Sequence, residues 1–202
     1  MGKMNKKKEQ TGSEKKGWKN DLRLYLHDLV MYVGIIVVVF LLVFRIIVVS
    51  GDSMNATLLD GDYLLLVSNS FYHQPKQGDV VVVSKQSFDN GAPIVKRVIA
   101  TEGQIVDIDF GMGIVYVDGL PLAEAYVNTP TNRDEGMVFP ILVEEGCCFV
   151  LGDNRNNSKD SRHPDIGLVD LREILGKAVF LALPGTDNDL YPRDFGRIGA
   201  IK

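Results

Sequence analysis

One stretch limits the folds open to this chain more than any other. From Leu29 to Phe44 there is no charged residue; Arg45 interrupts the run and Ile46 to Val49 continues it, giving 21 residues through Val49. A helix needs about 20 residues to cross about 30 Å of hydrocarbon. The run is apolar on every side and β-branched throughout, so a helix half-buried in a soluble core does not account for it. Arg45, near the far end, can extend its guanidinium to the interface. The first 28 residues carry eight basic side chains against four acidic ones. Lysines ahead of the run place that side in the cytoplasm. The expected layout is a basic cytoplasmic tail over 1–28, a single transmembrane anchor over 29–49 in the cell membrane, and an extracytoplasmic domain over 50–202. The lipid bilayer is therefore an expected partner. A cleavable signal peptide fits less well, because the polar lead is long and no A-x-A pattern follows the run. Myristoylation is excluded as a second anchor, since Lys6 stands where M-G-x-x-x-[ST] requires a hydroxyl.

Beyond the anchor, 202 residues in all leave room for one core-forming domain. Its periodicity is that of strands. Short apolar runs recur at Tyr63–Val67, Val80–Ser84, Ile94–Ala100, Ile105–Ile108, Ile114–Val117, Cys147–Leu151 and Lys177–Leu183. Asp60-Gly61, Asn90-Gly91, Asp118-Gly119 and Glu145-Gly146 punctuate them. Asp118-Gly119, between two apolar triplets, predicts a tight hairpin. Only Asp170–Leu175 has a helical cast, and it is short. Asn128–Gly136, rich in Thr, Asn, Asp and Pro, predicts an exposed loop, and the stretch from Pro184 is polar and irregular. The expected fold is mainly β: coiled sheets or a partly closed barrel.

Past residue 28 the chain holds 14 basic and 22 acidic groups. An acidic body excludes nucleic acid as an expected partner, because phosphate binding needs a basic face. Cys147 and Cys148 are adjacent, a placement that rarely bridges. They precede Phe149-Val150 and read as a buried strand start. No metal-ligand spacing occurs, and no cofactor is expected.

Three polar constellations interrupt this scaffold. The first, Ser50-Gly51-Asp52-Ser53-Met54-Asn55-Ala56-Thr57-Leu58, begins one residue after the apolar run. A serine between small and turn-forming residues can present its hydroxyl and backbone N–H together, as a nucleophile requires; alone, Gly-Asp-Ser is also an ordinary turn. The second is Ile94-Val95-Lys96-Arg97-Val98-Ile99-Ala100. Strand alternation puts Lys96 on one face with Ile94 and Val98. A lysine among aliphatic groups is desolvated, and its neutral amine can then take a proton from serine. The competing reading is a lysine that snorkels or guards an edge. Arg97 falls on the other face and reads as structural. The third is Gly152-Asp153-Asn154-Arg155-Asn156-Asn157-Ser158-Lys159-Asp160-Ser161-Arg162, a dense polar loop after an apolar strand. Ser158 is a candidate to orient the lysine amine, and Asp160 to pair with Arg162; a solvated Asx-rich turn is the alternative. His163 adjoins this loop and is the alternative base, whereas His27 precedes the anchor and His73 lies in a polar loop.

Taken in order, with Gly78-Asp79-Val80-Val81 between the first two, these motifs closely resemble those of the bacterial type I signal peptidases, in particular the single-anchor form. The resemblance covers about Leu29 to Leu183, and the last box is its most specific part. It implies a membrane-bound, mainly β serine endopeptidase that removes signal peptides from exported preproteins after small residues, on the outer face. Carried over position by position, it implies Ser53 as nucleophile and Lys96 as general base. It further implies Ser158 as the residue orienting the lysine, Asp160 and Arg162 as a supporting salt bridge, Asp153 as a structural acid, and Met54 as part of the substrate groove. Two positions depart from the pattern. Ala56 stands where the family usually has Pro. Gly51 stands where some relatives carry a second oxyanion donor, which leaves the Ser53 N–H, with Ser50 or water as helper. Two rival readings are a self-cleaving, repressor-type Ser/Lys peptidase and a non-catalytic anchored β domain that binds secreted partners.

Overall fold

A computed structural model describes residues 4–186 and 193–201. The chain divides into two compact units, the first ending at Leu42 and the second starting at Val43. The first is one helix, α1 (Met4–Val43). Its segment Asp21–Val43 is long and apolar enough, at 23 residues, to cross a membrane.

The helix stops short of the expected Val49. Phe44–Val48 is instead a strand, β1, paired antiparallel with β2 (Tyr63–Ser68) from Phe44 opposite Val67 to Val48 opposite Tyr63. Phe-Arg-Ile-Ile-Val is aromatic and β-branched, which suits a pleated surface. Residue hydropathy alone does not separate the end of an apolar helix from an apolar strand that follows it without a break. Arg45 accordingly sits on a strand opposite Leu66, not in the last turn of a helix.

The remaining strands are β3 (Val80–Val83), β4 (Ile94–Thr101), β5 (Ile105–Asp109), β6 (Ile114–Val117), β7 (Leu120–Pro121), β8 (Ile141–Leu142), β9 (Cys147–Leu151), β10 (Val169–Asp170), β11 (Ile174–Leu183) and β12 (Gly199–Ala200). They form two antiparallel sheets. The larger runs β1-β2-β11-β3-β4-β9-β10, with β12 added to β11. Its end strands do not pair with each other, so it is a partly closed barrel. The smaller runs β7-β6-β5-β8. The hairpin between β6 and β7 turns on Asp118 and Gly119, both left-handed at φ 52° and 75°, the requirement of the tightest hairpin turn. The polar stretch from Pro184 includes residues 187–192, outside the described residues. Its far end is not all irregular, because β12 pairs there with Phe180 and Leu181.

Three apolar clusters hold the second unit. The first gathers Met54, Leu58, Leu64, Leu66, Val80 and Val82. The second joins the small sheet to the large one through Val106, Val115, Phe149 and Leu151. The third gathers Val81, Val83, Val98, Val150 and Ile166. β3 feeds the first cluster with Val80 and Val82 and the third with Val81 and Val83. That is why its four valines run without polar alternation: both faces are buried. β4 lies between β3 and β9 in the middle of this sheet, so a polar side chain on it enters the interior.

Candidate active site

Ser53 lies in the loop from Val49 to Asp62 that joins β1 to β2. The loop is closed at its base by Val49 N donating to Asp62 O at 2.8 Å and Gly61 N donating to Val49 O at 2.9 Å. Asp62, fully buried, accepts from Leu59 N and from the Arg197 guanidinium. Met54 and Leu58 sink into the first cluster and pull the chain down on either side of the exposed loop tip. The result is a short turn in which Asn55 N donates to Asp52 O and Leu58 N to Met54 O.

Lys96 reaches this turn from the centre of β4. Its side chain is 2% exposed, and its Nζ lies 2.7 Å from Ser53 Oγ. Lys96 takes part in no salt bridge among the described residues. Burial pushes the ammonium down to about 8 from its usual 10.5; Asp160, Glu135 and Asp153 oppose that fall, and Arg162 adds to it. Burial disfavours the charged form of an amine, and neighbouring anions only partly restore it. A neutral amine within hydrogen-bond reach of a hydroxyl can accept its proton, which is the geometry general-base catalysis needs.

The Gly152–Arg162 loop packs behind this pair. Asn154 N donates to Ser53 O at 3.0 Å, and Asn154 Nδ2 to Asp52 O at 3.0 Å, so the loop grips the backbone at Ser53 itself. Gly152 sits where no larger residue fits: a Cβ there would meet Ser158 Oγ at 2.2 Å and Ser53 O at 2.5 Å. Asp160 and Arg162 are both fully buried and form a two-pronged pair, with Nε and Nη2 each 2.8 Å from a carboxylate oxygen. Asp160 also accepts from Gly152 N at 3.0 Å. Asp153 accepts two bonds from Arg97, at 2.8 and 2.7 Å, and a third from Thr57 Oγ1 at 2.5 Å. Arg155 pairs with Glu124 and donates to Thr131 Oγ1. Three guanidinium–carboxylate pairs with buried guanidinium groups thus hold this loop.

The other named residues take different places. Ser158 is 3% exposed and beside Gly152, but among the described residues its hydroxyl donates only to Lys159 O, at 3.5 Å, and makes no hydrogen bond to Lys96. Met54, expected in the substrate groove, is 1% exposed and belongs to the first core cluster. His163 accepts from Asp165 N and lies 3.6 Å from the Asp165 carboxylate, not against Ser53. Among the described residues no group of metal-ligating side chains converges.

Sequence reading misses several partners. Thr57 ties the Ser53 turn to Asp153 across 96 positions. Tyr126 lies under Arg97, its ring centre 3.9 Å from the guanidinium carbon. The loop Asn128–Gly136 is exposed over most of its length, yet it is strapped to the polar loop. Asn132 N and Arg133 N donate to Asn156 Oδ1, and Arg162 Nη1 donates to Arg133 O. A signal existed for one of these: an arginine inside the apolar run of β4 demands a buried acceptor. Glu124, Tyr126 and Glu135 carry no spacing that singles them out.

A mainly β peptidase scaffold, with a serine and a buried lysine at its centre, is the class defined by this fold and geometry. The family described as signal peptidase, peptidase S26 matches residues 22–183, and the chain belongs to that family. A probable signal peptidase I-1 from Synechocystis sp. is 38% identical over 145 residues, covering 68% of this chain and 70% of that protein. A signal peptidase I from Bacillus licheniformis is 29% identical over 174 residues, covering 82% and 91%. A crystal structure of a signal peptidase I from Enterococcus faecalis V583 aligns with 29% identity and a TM-score of 0.42, covering 52% of this chain and 96% of that one.

Proposed function

We propose that the chain is a membrane-anchored signal peptidase in which Ser53 is the nucleophile and Lys96 the general base, removing signal peptides from exported preproteins. The observation that carries this reading is the 2.7 Å approach of a 2%-exposed lysine amine to the Ser53 hydroxyl. Neutral Lys96 takes the Ser53 proton as Oγ attacks the scissile carbonyl. The resulting oxyanion is met by the Ser53 backbone N–H, which makes no hydrogen bond within the described residues. Collapse expels the new amino terminus, which takes the proton back from Lys96, and leaves an ester on Ser53. Lys96 then deprotonates a water that attacks the ester, releasing the signal peptide's carboxylate and restoring the serine.

Asp160–Arg162 and Arg97–Asp153 hold the elements that carry the dyad. Ser158 takes the role of orienting the amine, supported by its place at Gly152 on the side where the Ser53 carbonyl also packs. Met54 supports the floor of the groove from beneath. The substrate lies extended along a strand edge, with shallow apolar pockets selecting small side chains. The helix Asp21–Val43 anchors the chain in the bilayer, and the basic residues ahead of it keep that end in the cytoplasm, so the peptidase domain works outside. Ser53 follows the helix by only ten residues, which suits a substrate whose own apolar segment holds its cleavage site near the lipid surface.

The test is cleavage of a preprotein by the full chain in detergent or liposomes, alongside Ser53→Ala and Lys96→Ala. Both variants are expected to be inactive yet folded. Near-normal turnover by Lys96→Ala would remove it as the base and turn attention to His163.

A further inference from the structure

Arg45 is the one charge inside the 21-residue apolar run, and the structure gives it a particular place. It lies opposite Leu66 in the β1–β2 ladder. Residues directly opposite share a face, so Arg45 is on the side of Leu66, which belongs to the first core cluster. Ser68, two residues beyond Leu66, is on that face too and stands diagonal to Arg45, about 7–8 Å away between backbones. With Asn69, Ser70, His73 and Leu175 they line a cavity of about 330 Å³. Leu175 also packs on the first cluster, so the cavity lies at the end of that cluster where β1 begins. Its polar groups are unused. Arg45 takes part in no ion pair or side-chain hydrogen bond among the described residues. Ser68 is 1% exposed and precedes the short turn Asn69–Phe71, yet its hydroxyl neither caps that turn nor bonds elsewhere among the described residues. A hydroxyl withdrawn from water without a partner costs stability. The adjoining cavity, lined by Tyr72, Lys76, Asp79 and Lys177, differs: Lys177 Nζ lies 2.5 Å from Asp79 Oδ1, so its charge is answered.

We propose that the Arg45–Ser68 cavity binds the phosphate of an anionic phospholipid at the outer membrane surface. The donors match that ligand. A guanidinium presents parallel N–H groups to phosphate oxygens, and the Ser68 and Ser70 hydroxyls and the Asn69 amide can donate to the oxygens that remain. No carboxylate lines the cavity, although the residues past 28 hold 22 acidic groups against 14 basic ones. Free phosphate offers the same oxygens; location favours the lipid. This rests on the reading of Asp21–Val43 as the membrane anchor. Arg45 follows Val43 by two residues, and two residues reach at most about 7 Å. The headgroup layer is about 5–8 Å deep on each side of the hydrocarbon. The arginine therefore starts within the layer that holds the phosphates. A lipid bound there ties the start of β1 to the membrane surface, and the far end of β1 leads directly into the Ser53 loop.

The test uses the full chain, stripped of native lipid in an uncharged detergent. Its melting temperature is read against added dioleoylphosphatidylglycerol, dioleoylphosphatidylcholine or inorganic phosphate. Phosphatidylglycerol is expected to raise it by about 3–6 °C once the lipid is tenfold above its Kd. Arg45→Gln is expected to weaken the apparent affinity about tenfold or more, and Ser68→Ala about threefold. Ser68→Ala should leave the melting temperature of the lipid-free chain in place, because its hydroxyl has no partner to lose among the described residues. Lys76→Gln, which removes an exposed cation of the adjoining cavity, should bind as wild type does, and so separates a site from diffuse attraction. Equal shifts with phosphatidylcholine, or titrations that Arg45→Gln and Ser68→Ala leave unchanged, overturn the proposal. A shift reproduced by millimolar inorganic phosphate and lost in the same two variants overturns the lipid as the source of the phosphate. Release of the chain from vesicles by alkaline carbonate marks a failed anchor reading, whereas retention in the vesicles without a lipid-dependent shift marks a failed site, so the two failures are read separately.

Discussion

Replacing Lys96 by methionine isolates the energetic consequence of burying this lysine. The lysine's fall from 10.5 to about 8 means that its charged form is disfavoured in the fold by about 3 kcal/mol, at about 1.4 kcal/mol per factor of ten. Methionine has a similar length and no charge, and among the described residues the amine's one hydrogen bond is to Ser53 Oγ, so little else is lost. In linkage terms, the folded pKa lies below the unfolded one. Between about 8 and 10.5 the unfolded chain binds more protons, and stability rises with pH; below about 8 the full penalty is present. Lys96→Met should therefore be more stable than wild type at pH 7. For a domain of this size 1 kcal/mol moves the melting temperature by about 2–4 °C, which makes the expected gain about 6–12 °C. Loss of a cation beside Asp160, Glu135 and Asp153 pulls the value towards the lower end. The assay is thermal unfolding of the full chain in detergent micelles, followed by circular dichroism at matched scan rates from pH 7 to pH 10.5. The gap between the two proteins should close as pH approaches 10.5, while activity is absent from the variant throughout. Parallel pH profiles, or a variant less stable at pH 7, would refute the claim that burial disfavours the charged form of Lys96.

Two further substitutions probe the frame around Ser53 and Lys96. Gly152→Ala places a methyl group 2.5 Å from Ser53 O and 2.2 Å from Ser158 Oγ, so the Ser53 backbone must shift; kcat/KM should fall about a hundredfold, since displacements near 1 Å have that effect, and an unchanged value would mean the loop yields instead. Asp160→Asn leaves the fully buried Arg162 without its counter-charge, which should destabilise the second unit by about 3 kcal/mol or more, measured as a drop in melting temperature relative to wild type.

The strands were largely legible from the chain because their signal is local. Val115-Tyr116-Val117 followed by Asp118-Gly119 carries its own turn chemistry, and the hairpin forms there. β1 was not legible, because Phe44–Val48 has the same apolar composition as the helix before it; what makes it a strand is β2, which lies past the Ser53 loop. Ser53 and Lys96 could be named from motifs, but no local property states that residues 43 positions apart lie 2.7 Å from each other. That contact depends on the position of β4 between β3 and β9. The strap is the extreme case. Asn128–Gly136 reads as solvent-facing because its residues are polar and turn-forming, and most are indeed exposed. Its function in the fold comes from bonds to Asn156 and Arg162, more than 20 positions away.

The three buried ion pairs show why so much charge sits behind one serine. Arg97–Asp153, Arg155–Glu124 and Arg162–Asp160 place guanidinium groups at 1%, 0% and 0% side-chain exposure. Buried pairs of this kind contribute little net stability compared with well-packed apolar residues, because desolvation offsets their attraction. Stability is therefore a poor account of them. Each does, however, connect segments that no single strand could hold together. Asp153 binds β4 through Arg97 and the Ser53 turn through Thr57. Arg155 binds the polar loop to Glu124 and, through Thr131, to the strap. Arg162 donates to Asp160 on its own loop and to Arg133 on the strap. A planar, multi-donor guanidinium fixes direction as well as distance. The Ser53 turn, the strand carrying Lys96, the polar loop and residues 128–136 are four pieces from distant parts of the chain, and these arginines set the mutual orientation that holds Lys96 Nζ 2.7 Å from Ser53 Oγ.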